Sequence, residues 1–455
     1  MTITIWGYIF IPLILISTLN FRYLLGLFII SLSLQMTSII NIDNFHYGLR
    51  LYRFIAIVLD FVCLFYFVSK KNNIVFAVKK MLIALTLFIV YGFLISFWGP
   101  IMFEGCLVFV PEYGIDYNAV YGPFPLKFSL YNLILPVNIF IFVLVFVFIV
   151  LFEMKEKCIN FVIKCFYFTI IMILFFSFYQ LLQSIVYLPN IFKIINNTIS
   201  NQFHLVSINL SGINFLRVAA TYSEPSYLSS FLVSIFSFAF SSFILYKKLL
   251  WLLILVSILI LLSASSTTYL CSLIMIFVVL MFAWFTCFRK KEKLLRSFII
   301  LLLCLTAIFI FVSYIIGLNN MMIILNDFLF NKMYSYSFIN RIKADIYSFF
   351  IFSDSFGLGM GIGSTRPSSL LPCLISTVGV WGTFFFLLFL YYFLRYSYYS
   401  LKTSAYFPYF FLVPSVIVTQ LVAYPDFTNP TLWQMLYIVL IIIKKIRFKY
   451  YYGLH

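Results

Sequence analysis

RVAATYSEPS, Arg217 to Ser226, is the stretch that decides how this chain folds. It closes a long polar interruption and hands over to an apolar run from 227 to 246. Proline is tolerated in the first turn of a helix, where its missing N–H would have no intrahelical partner. Pro225 therefore reads as the start of the apolar helix, with Glu224 at or near its N-cap. Arg217 and Glu224 then lie just outside a membrane span, close to the positive end of that helix's dipole. Read on helix geometry, their separation is about two turns, so the two share a face. The pair has two readings. The arginine holds phosphate while Glu224 acts as base or orients the guanidinium, or the two form an ion pair that pins the loop to the bundle. Spacing alone favours the ion pair.

The surroundings of this stretch are almost continuous hydrocarbon. The 455 residues are 64% hydrophobic and 9% charged, with a mean hydropathy of +1.10, where a soluble domain carries about 25% charged residues. Apolar runs long enough to cross a bilayer recur along the whole chain, which predicts an all-α polytopic membrane protein, one integral membrane domain over 1–455. About thirteen transmembrane helices (12–14) are expected, near 3–19, 23–41, 51–69, 81–98, 133–152, 161–187, 227–246, 249–263, 268–288, 297–317, 374–394, 406–424 and 431–446. The opening run lacks a basic leader and a small-residue cleavage site, and reads as a retained span.

Lysine and arginine set the orientation. Every second connection is basic: Lys70, Lys71, Lys79 and Lys80; Lys155, Lys157 and Lys164; Lys247 and Lys248; the run RKKEKLLR from Arg289 to Arg296; Arg395 and Lys402; and Lys444, Lys445, Arg447 and Lys449. With Arg22, these make 21 of the 30 basic residues. They predict a cytoplasmic face, and the net charge of +17 is a topology signal towards anionic membrane lipid, with no nucleic-acid partner implied. The remaining basic residues fall on the outward side with most of the acidic ones. Three outward loops are long, near 99–132, 188–226 and 318–373. Loops of that length are functional or disordered, and their aromatic, Gly, Pro and Asn content predicts order. Short interfacial helices are expected around 190–206 and 321–334. The loops 188–226 and 318–373 carry the candidate site.

The last long loop holds Arg341, Asp345, Asp354, the alternating glycines of GLGMGIG (Gly357, Gly359, Gly361 and Gly363), and Arg366 before Pro367. Glycine permits positive φ and close approach of a ligand. The Lys-Ser/Thr of a P-loop is missing. The segment reads as a flexible turn or, with Arg341 and Arg366 flanking it, as a phosphate site. Arginine's fixed fork of donors suits bidentate phosphate contact. Arg217, Arg341 and Arg366 would suit one diphosphate if they converge. The turn SASSTTYL, Ser263 to Leu270, suits close helix packing or polar contact with a ligand. Asp426 either caps the last span or faces the site. Asp60 lies within a span, where a carboxylate is a functional candidate, with Arg53 as its expected partner. His46 and His204 are outward and read as structural or exposed. No Cys or Cys/His spacing implies a metal, and no cofactor is expected.

RVAATYSEPSYLSSFL, a span, SASSTTYL, and then NRIKADIYSFFIFSDSFGLGMGIG ahead of a late span together resemble the O-antigen polymerase and ligase superfamily. There an arginine precedes Glu-Pro-Ser at the start of a span, and a further arginine precedes Gly-x-Gly in a large periplasmic loop. The resemblance covers about 210–390. It implies a metal-independent, GT-C-like glycosyltransferase in the bacterial inner membrane. Donor and acceptor would be undecaprenyl-diphosphate-linked oligosaccharides, and a chain-length regulator and a flippase would be partners. It implies Arg217, Glu224 and Arg341 as catalytic residues, and Arg217, Arg341, Arg366, Gly357 and Gly359 on the diphosphate. Ligases of the superfamily carry a histidine after the Gly-x-Gly; here Gly359 to Leu371 has none, which favours polymerase. The arginine-to-glycine spacing of some polymerases is not matched, since Leu228 and Phe352 stand where glycine would follow Arg217 and Arg341. A flippase is the transporter alternative. It would be expected to have short loops and charges lining a cavity within its spans.

Overall fold

The computed structural model describes residues 1–42, 47–69, 76–109, 123–183, 186–198, 207–210, 213–263, 265–286 and 336–451, with isolated positions between 306 and 326. Apart from those positions, the expected span 297–317, the segment 321–334, the RKKEKLLR run, His46 and His204 lie outside the described residues.

Numbered over the described residues, the helices are α1 (Ile5–Thr18), α2 (Phe21–Ser31), α3 (Leu51–Ser69), α4 (Phe76–Met102), α5 (Tyr131–Leu151), α6 (Glu156–Gln183), α7 (Phe192–Ile195), α8 (Pro225–Tyr246), α9 (Leu250–Leu262) and α10 (Ser266–Thr286). There follow α11 (Tyr336–Asp354), α12 (Leu370–Thr377), α13 (Gly379–Leu401), a 3-10 turn at Phe407–Phe411, α14 (Leu412–Val422) and α15 (Pro430–Tyr451). Among the described residues, six helices are long and apolar enough to cross a membrane: Val78–Met102, Tyr131–Leu151, Glu156–Gln183, Pro225–Tyr246, Ser266–Phe285 and Gly379–Leu401. The chain is a helical membrane protein. Among the described residues its sheet is confined to small antiparallel ribbons: β1 (Thr2–Ile3), β2 (Ser38–Ile42) and β3 (Tyr47–Arg50); β4 (Leu107–Val108) with β5 (Phe124–Pro125); and β6 (Ser207–Leu210) with β7 (Ile213–Leu216).

Helix α8 is the inner column. It packs against α9, α10 and α14, and 94% of its most apolar window is buried. A buried helix must satisfy its own hydroxyls, and Ser229, Ser234, Ser237 and Ser242 donate to carbonyls one turn back. Their small side chains let neighbours approach closely. Ser229 also shares a hydrogen bond with Thr268 on α10, so the serine-rich turn performs the packing role. Helix α15 is the second column, buried almost continuously from Leu432 to Ile443 against α5, α6 and α14.

Several apolar runs depart from their expected form: 3–19 and 249–263 are helices of 14 and 13 residues, 374–394 is divided at Val378 between α12 and α13, and 406–424 opens as a 3-10 turn. The run 23–41 was expected as a span, yet α2 ends at Ser31 and the chain turns into β2. The reason lies in the polar residues of SLSLQMT. Ser33 bonds to Gln434 and Gln35 to Thr431, both on α15. Thr37 Oγ1 donates to the Ile195 carbonyl at 2.8 Å. Distant partners for these side chains stabilise a turn over a continued helix.

The basic ends of α2, α8 and α15 are tied to neighbouring elements. Phe21 at the start of α2 meets Phe152 after α5 at a ring separation of 5.6 Å. Lys444 on α15 donates to the Phe152 carbonyl. Tyr246 at the end of α8 donates to Ser404, and Arg447 lies over Tyr396.

Candidate functional site

The opposite end of α8 holds the candidate site. Glu224 is the N-cap, with extended backbone (φ −143°, ψ 156°), and Pro225 opens the helix. Residues 217–224 are a loop, not a helix, so Arg217 and Glu224 are neighbours through the turn and not through a shared face. The loop is clamped from below. Gln180 near the end of α6 accepts from the Ala219 and Ala220 N–H groups at 3.0 and 2.7 Å. Asn196 Nδ2 donates to the Ala220 carbonyl at 3.0 Å. Thr221 Oγ1 donates to Ser33, and the Met36 N–H to Thr221. These bonds hold Ala220 at φ +50°, a left-handed conformation that costs an alanine about 1–2 kcal/mol.

Arg217 emerges from this clamp half-buried. Burial pulls its pKa below the ordinary arginine value; the Glu224 carboxylate opposes the shift, the Arg341 guanidinium adds to it, and Tyr269 opposes it. These four side chains are thus within electrostatic reach of one another's centre at Arg217. The buried Nε of Arg217 has no hydrogen-bond acceptor among the described residues. Arg217 and Glu224 form no direct ion pair; Glu224 Oε2 instead accepts from Ser226 Oγ at 3.0 Å.

Arg366 reaches the same helix end by its own route. Its Nη2 donates to the Tyr227 hydroxyl at 2.8 Å, in the first turn of α8, and to Asp426 Oδ2 at 3.0 Å. Asp426 thus faces the site, and Asn429 caps α15 by accepting from the Thr431 N–H at 2.8 Å. The Tyr227 and Tyr424 rings lie 4.0 Å apart, centroid to centroid. Asp345, one turn beyond Arg341 on α11, receives four hydrogen bonds from the N–H and hydroxyl groups of Ser368 and Ser369 at 2.6 to 3.2 Å. A carboxylate at the start of α12 suits the helix dipole, and it ties α11 to the strand of chain that carries Arg366. Three segments distant in sequence therefore approach one end of α8: Arg366 is hydrogen-bonded to its first turn, and Glu224 and Arg341 act electrostatically on Arg217.

Gly357 and Gly359 behave differently. GLGMGIG has positive φ at each glycine, from +73° to +95°. A Cβ on Gly359 would lie 2.6 Å from the Thr377 carbonyl and the Gly379 nitrogen. On Gly361 it would lie 2.9 Å from the Ile95 carbonyl of α4, and on Gly363 2.9 Å from Tyr131 at the start of α5. Tyr91, Ser96 and Asn132 bond the segment's backbone. At Gly359, Gly361 and Gly363 the close approach that glycine permits is made by the protein's own backbone, whereas a Cβ on Gly357 would meet only the Val380 and Phe352 side chains, at 3.4 and 3.5 Å. The segment is a pinned knot that fixes where Arg366 emerges.

Asp60 does not pair with Arg53: both its carboxylate oxygens are buried without a hydrogen-bond partner among the described residues. Among the described residues no group of three His, Cys, Asp or Glu side chains is spaced to hold a metal ion. Gln180, Asn196 and Tyr227 shape the site and are not singled out by motif. Gln180 alone had a visible signal, a glutamine inside the apolar run 161–187. Comparison with family models, with curated proteins and with solved structures finds no match to the chain.

Proposed function

We propose that this chain is a glycosyltransferase that polymerises undecaprenyl-diphosphate-linked oligosaccharide repeat units into O-antigen. In this reading it is a GT-C-like protein of about thirteen spans in the bacterial inner membrane, with its site on the periplasmic face. The observation that carries the reading is the convergence of Arg217, Arg341 and Glu224, with Arg366 close by, at the start of the most buried helix. Two guanidinium groups acting on each other repel, and an unpartnered buried Nε adds desolvation cost. An anion of charge two or more placed between them relieves both.

The chemistry follows from that charge. The acceptor hydroxyl oxygen attacks the anomeric carbon of the donor. The bond from that carbon to the diphosphate oxygen breaks, and undecaprenyl diphosphate leaves with the electron pair. Arg217 and Arg341 neutralise charge growing on the leaving oxygen, the kind of preorganised stabilisation that is worth most in a water-poor site. Glu224 takes the hydroxyl proton. Arg366, already paired with Asp426, positions the far phosphate or the first sugar through Tyr227.

The test is a lipopolysaccharide gel from a strain lacking the gene, with the gene restored in native form or as Arg217→Ala or Arg341→Ala. The expected result is core with a single repeat unit in the deletion, a ladder on restoration, and no ladder from stably inserted variants. A ladder from both variants overturns the reading, as does a deletion strain whose core carries no repeat at all.

A further inference from the structure

A second feature lies on the flank of the bundle, away from the arginine cluster. Helices α3 and α5 pack together, and between them runs a groove of about 270 Å³ lined by Leu49, Arg53, Ile57, Val137, Asn138 and Ile141, among others. Its walls open sideways: Leu133 and Val137 are 44% and 45% exposed. On α3 Arg53 and Ile57 are four residues apart, and on α5 Ile134, Asn138 and Ile141 are four and three apart, so each helix presents one rung per turn, with Leu49 of β3 extending the first strip. Leu49, Arg53 and Ile57 form one strip; Ile134, Asn138 and Ile141, with Val137 beside Asn138, form the other. The polar residues are the middle rung of each, flanked by apolar rungs on both sides.

Asn138 is the telling residue. It is 7% exposed, and its amide nitrogen is buried with no acceptor among the described residues. A buried donor without an acceptor costs about 1–3 kcal/mol, and leucine at this position would remove that cost. Arg53 adds a positive charge on the same rung, and Arg50 lies three residues before it, donating to the Tyr52 hydroxyl at 3.4 Å.

We infer that this groove is a binding site for an anionic phospholipid of the surrounding membrane, with its phosphate on Arg53, an ester carbonyl on Asn138 and one acyl chain along Ile57 and Ile141. An ester carbonyl at the junction of head and tail is the acceptor Asn138 needs. A polyprenyl chain carries none, so this site is distinct from the diphosphate cluster and does not rest on the transferase reading. The volume accommodates part of a single chain, and apolar walls on each side of a charged rung match an amphiphile, whereas free phosphate would gain only the rung.

The test is photo-crosslinking of the full-length protein in nanodiscs with phosphatidylglycerol bearing a diazirine in one acyl chain, followed by peptide mapping. Labelling is expected to concentrate on 53–60 and 137–145. Excess phosphatidylglycerol should compete at least fivefold better than phosphatidylcholine or undecaprenyl phosphate. Val137→Trp, which fills the groove from its exposed wall, should cut labelling at least fivefold, and Asn138→Leu should cut it while leaving the protein at least as thermostable. Labelling spread evenly over lipid-facing helices overturns the inference. So does labelling undiminished in both variants, or undecaprenyl phosphate competing as well as phosphatidylglycerol.

Discussion

Two loops of this protein have the same look in sequence and opposite roles in structure. Residues 217–224 and 357–363 both interrupt apolar helices, both carry a residue type associated with phosphate, and both force backbone into the left-handed region. In the first, the clamp is made by side chains: Gln180 and Asn196 from elsewhere hold the backbone, Thr221 of the loop itself bonds to Ser33, and the arginine's own Nε is left over. In the second, backbone meets backbone at every glycine from 359 to 363, and the room those glycines leave is filled by the protein itself. The lesson is that a glycine's freedom is used by whatever comes close, and here that is the protein. A buried guanidinium with a donor left unsatisfied is the better pointer to an anion site, because it carries a cost that a ligand can offset.

The contrast breaks most sharply at Arg217. Arg217→Ala should lower polymer extension by about 10²–10³-fold, the size of effect seen when one preorganised donor to a developing anion is removed. Membrane insertion should be unchanged. Arg217→Lys keeps the charge but loses the fork of donors, and should recover only part of the rate. Turnover of a lipid-linked substrate by detergent-purified protein measures both. Full activity in the lysine variant would make Arg217 a point charge without directional contact.

Gly359→Ala tests the other side. Its Cβ would press on the Thr377 carbonyl at 2.6 Å, with φ fixed at +87°. The strain is about 1–3 kcal/mol before any clash is counted. The expected loss is in thermal stability and folded yield, with extension rate per folded molecule near native. A variant of native stability that had lost activity would return the glycine loop to the site.

These two cases also mark what is legible in sequence. Pro225 and Glu224 announce the start of α8, because helix entry is a local matter. The basic helix ends are legible because charge sorts by side. The break after Ser31 and the knot at 357–363 are not, because their causes lie hundreds of residues away: Gln434 and Thr431 for the first, Ser96 and Asn132 for the second. The arginine convergence is legible only in part. The three arginines are visible as candidates, but Asp345 joining Ser368 to α11 is a tertiary contact with no local signature.

Gln180→Leu sharpens the comparison at the clamp. Leucine removes the oxygen that accepts from Ala219 and Ala220, leaving two buried N–H groups without it. A loss of about 1–3 kcal/mol in stability is expected. Because Ala220 would no longer be held left-handed, the loop should relax and extension should fall, although Gln180 itself lies behind the reacting groups. A Gln180→Glu variant keeps an acceptor at the same place and should restore the loop, with substrate binding improved over leucine at equal expression. Loss of stability without loss of extension would show that the arginine does not depend on the clamp.

The smallest effect is expected at Asp426. Its ion pair with Arg366 spans 3.0 Å, but the two side chains are 31% and 30% exposed. Pairs this accessible to water contribute under about 1 kcal/mol, so Asp426→Asn should barely move the melting temperature. Its consequence lies in charge. Asparagine keeps an acceptor for Arg366 and removes the opposing carboxylate, so the site becomes more positive by one. If Arg366 serves the substrate's phosphates, the variant should bind lipid-linked substrate more tightly, with KM lowered several-fold at low ionic strength and the gain lost as salt screens it. If Arg366 only pins α12 against α8 through Tyr227, KM should stay at its native value at every salt concentration. The arginine would then belong with the glycine knot as scaffold, and the diphosphate site would shrink to Arg217 and Arg341.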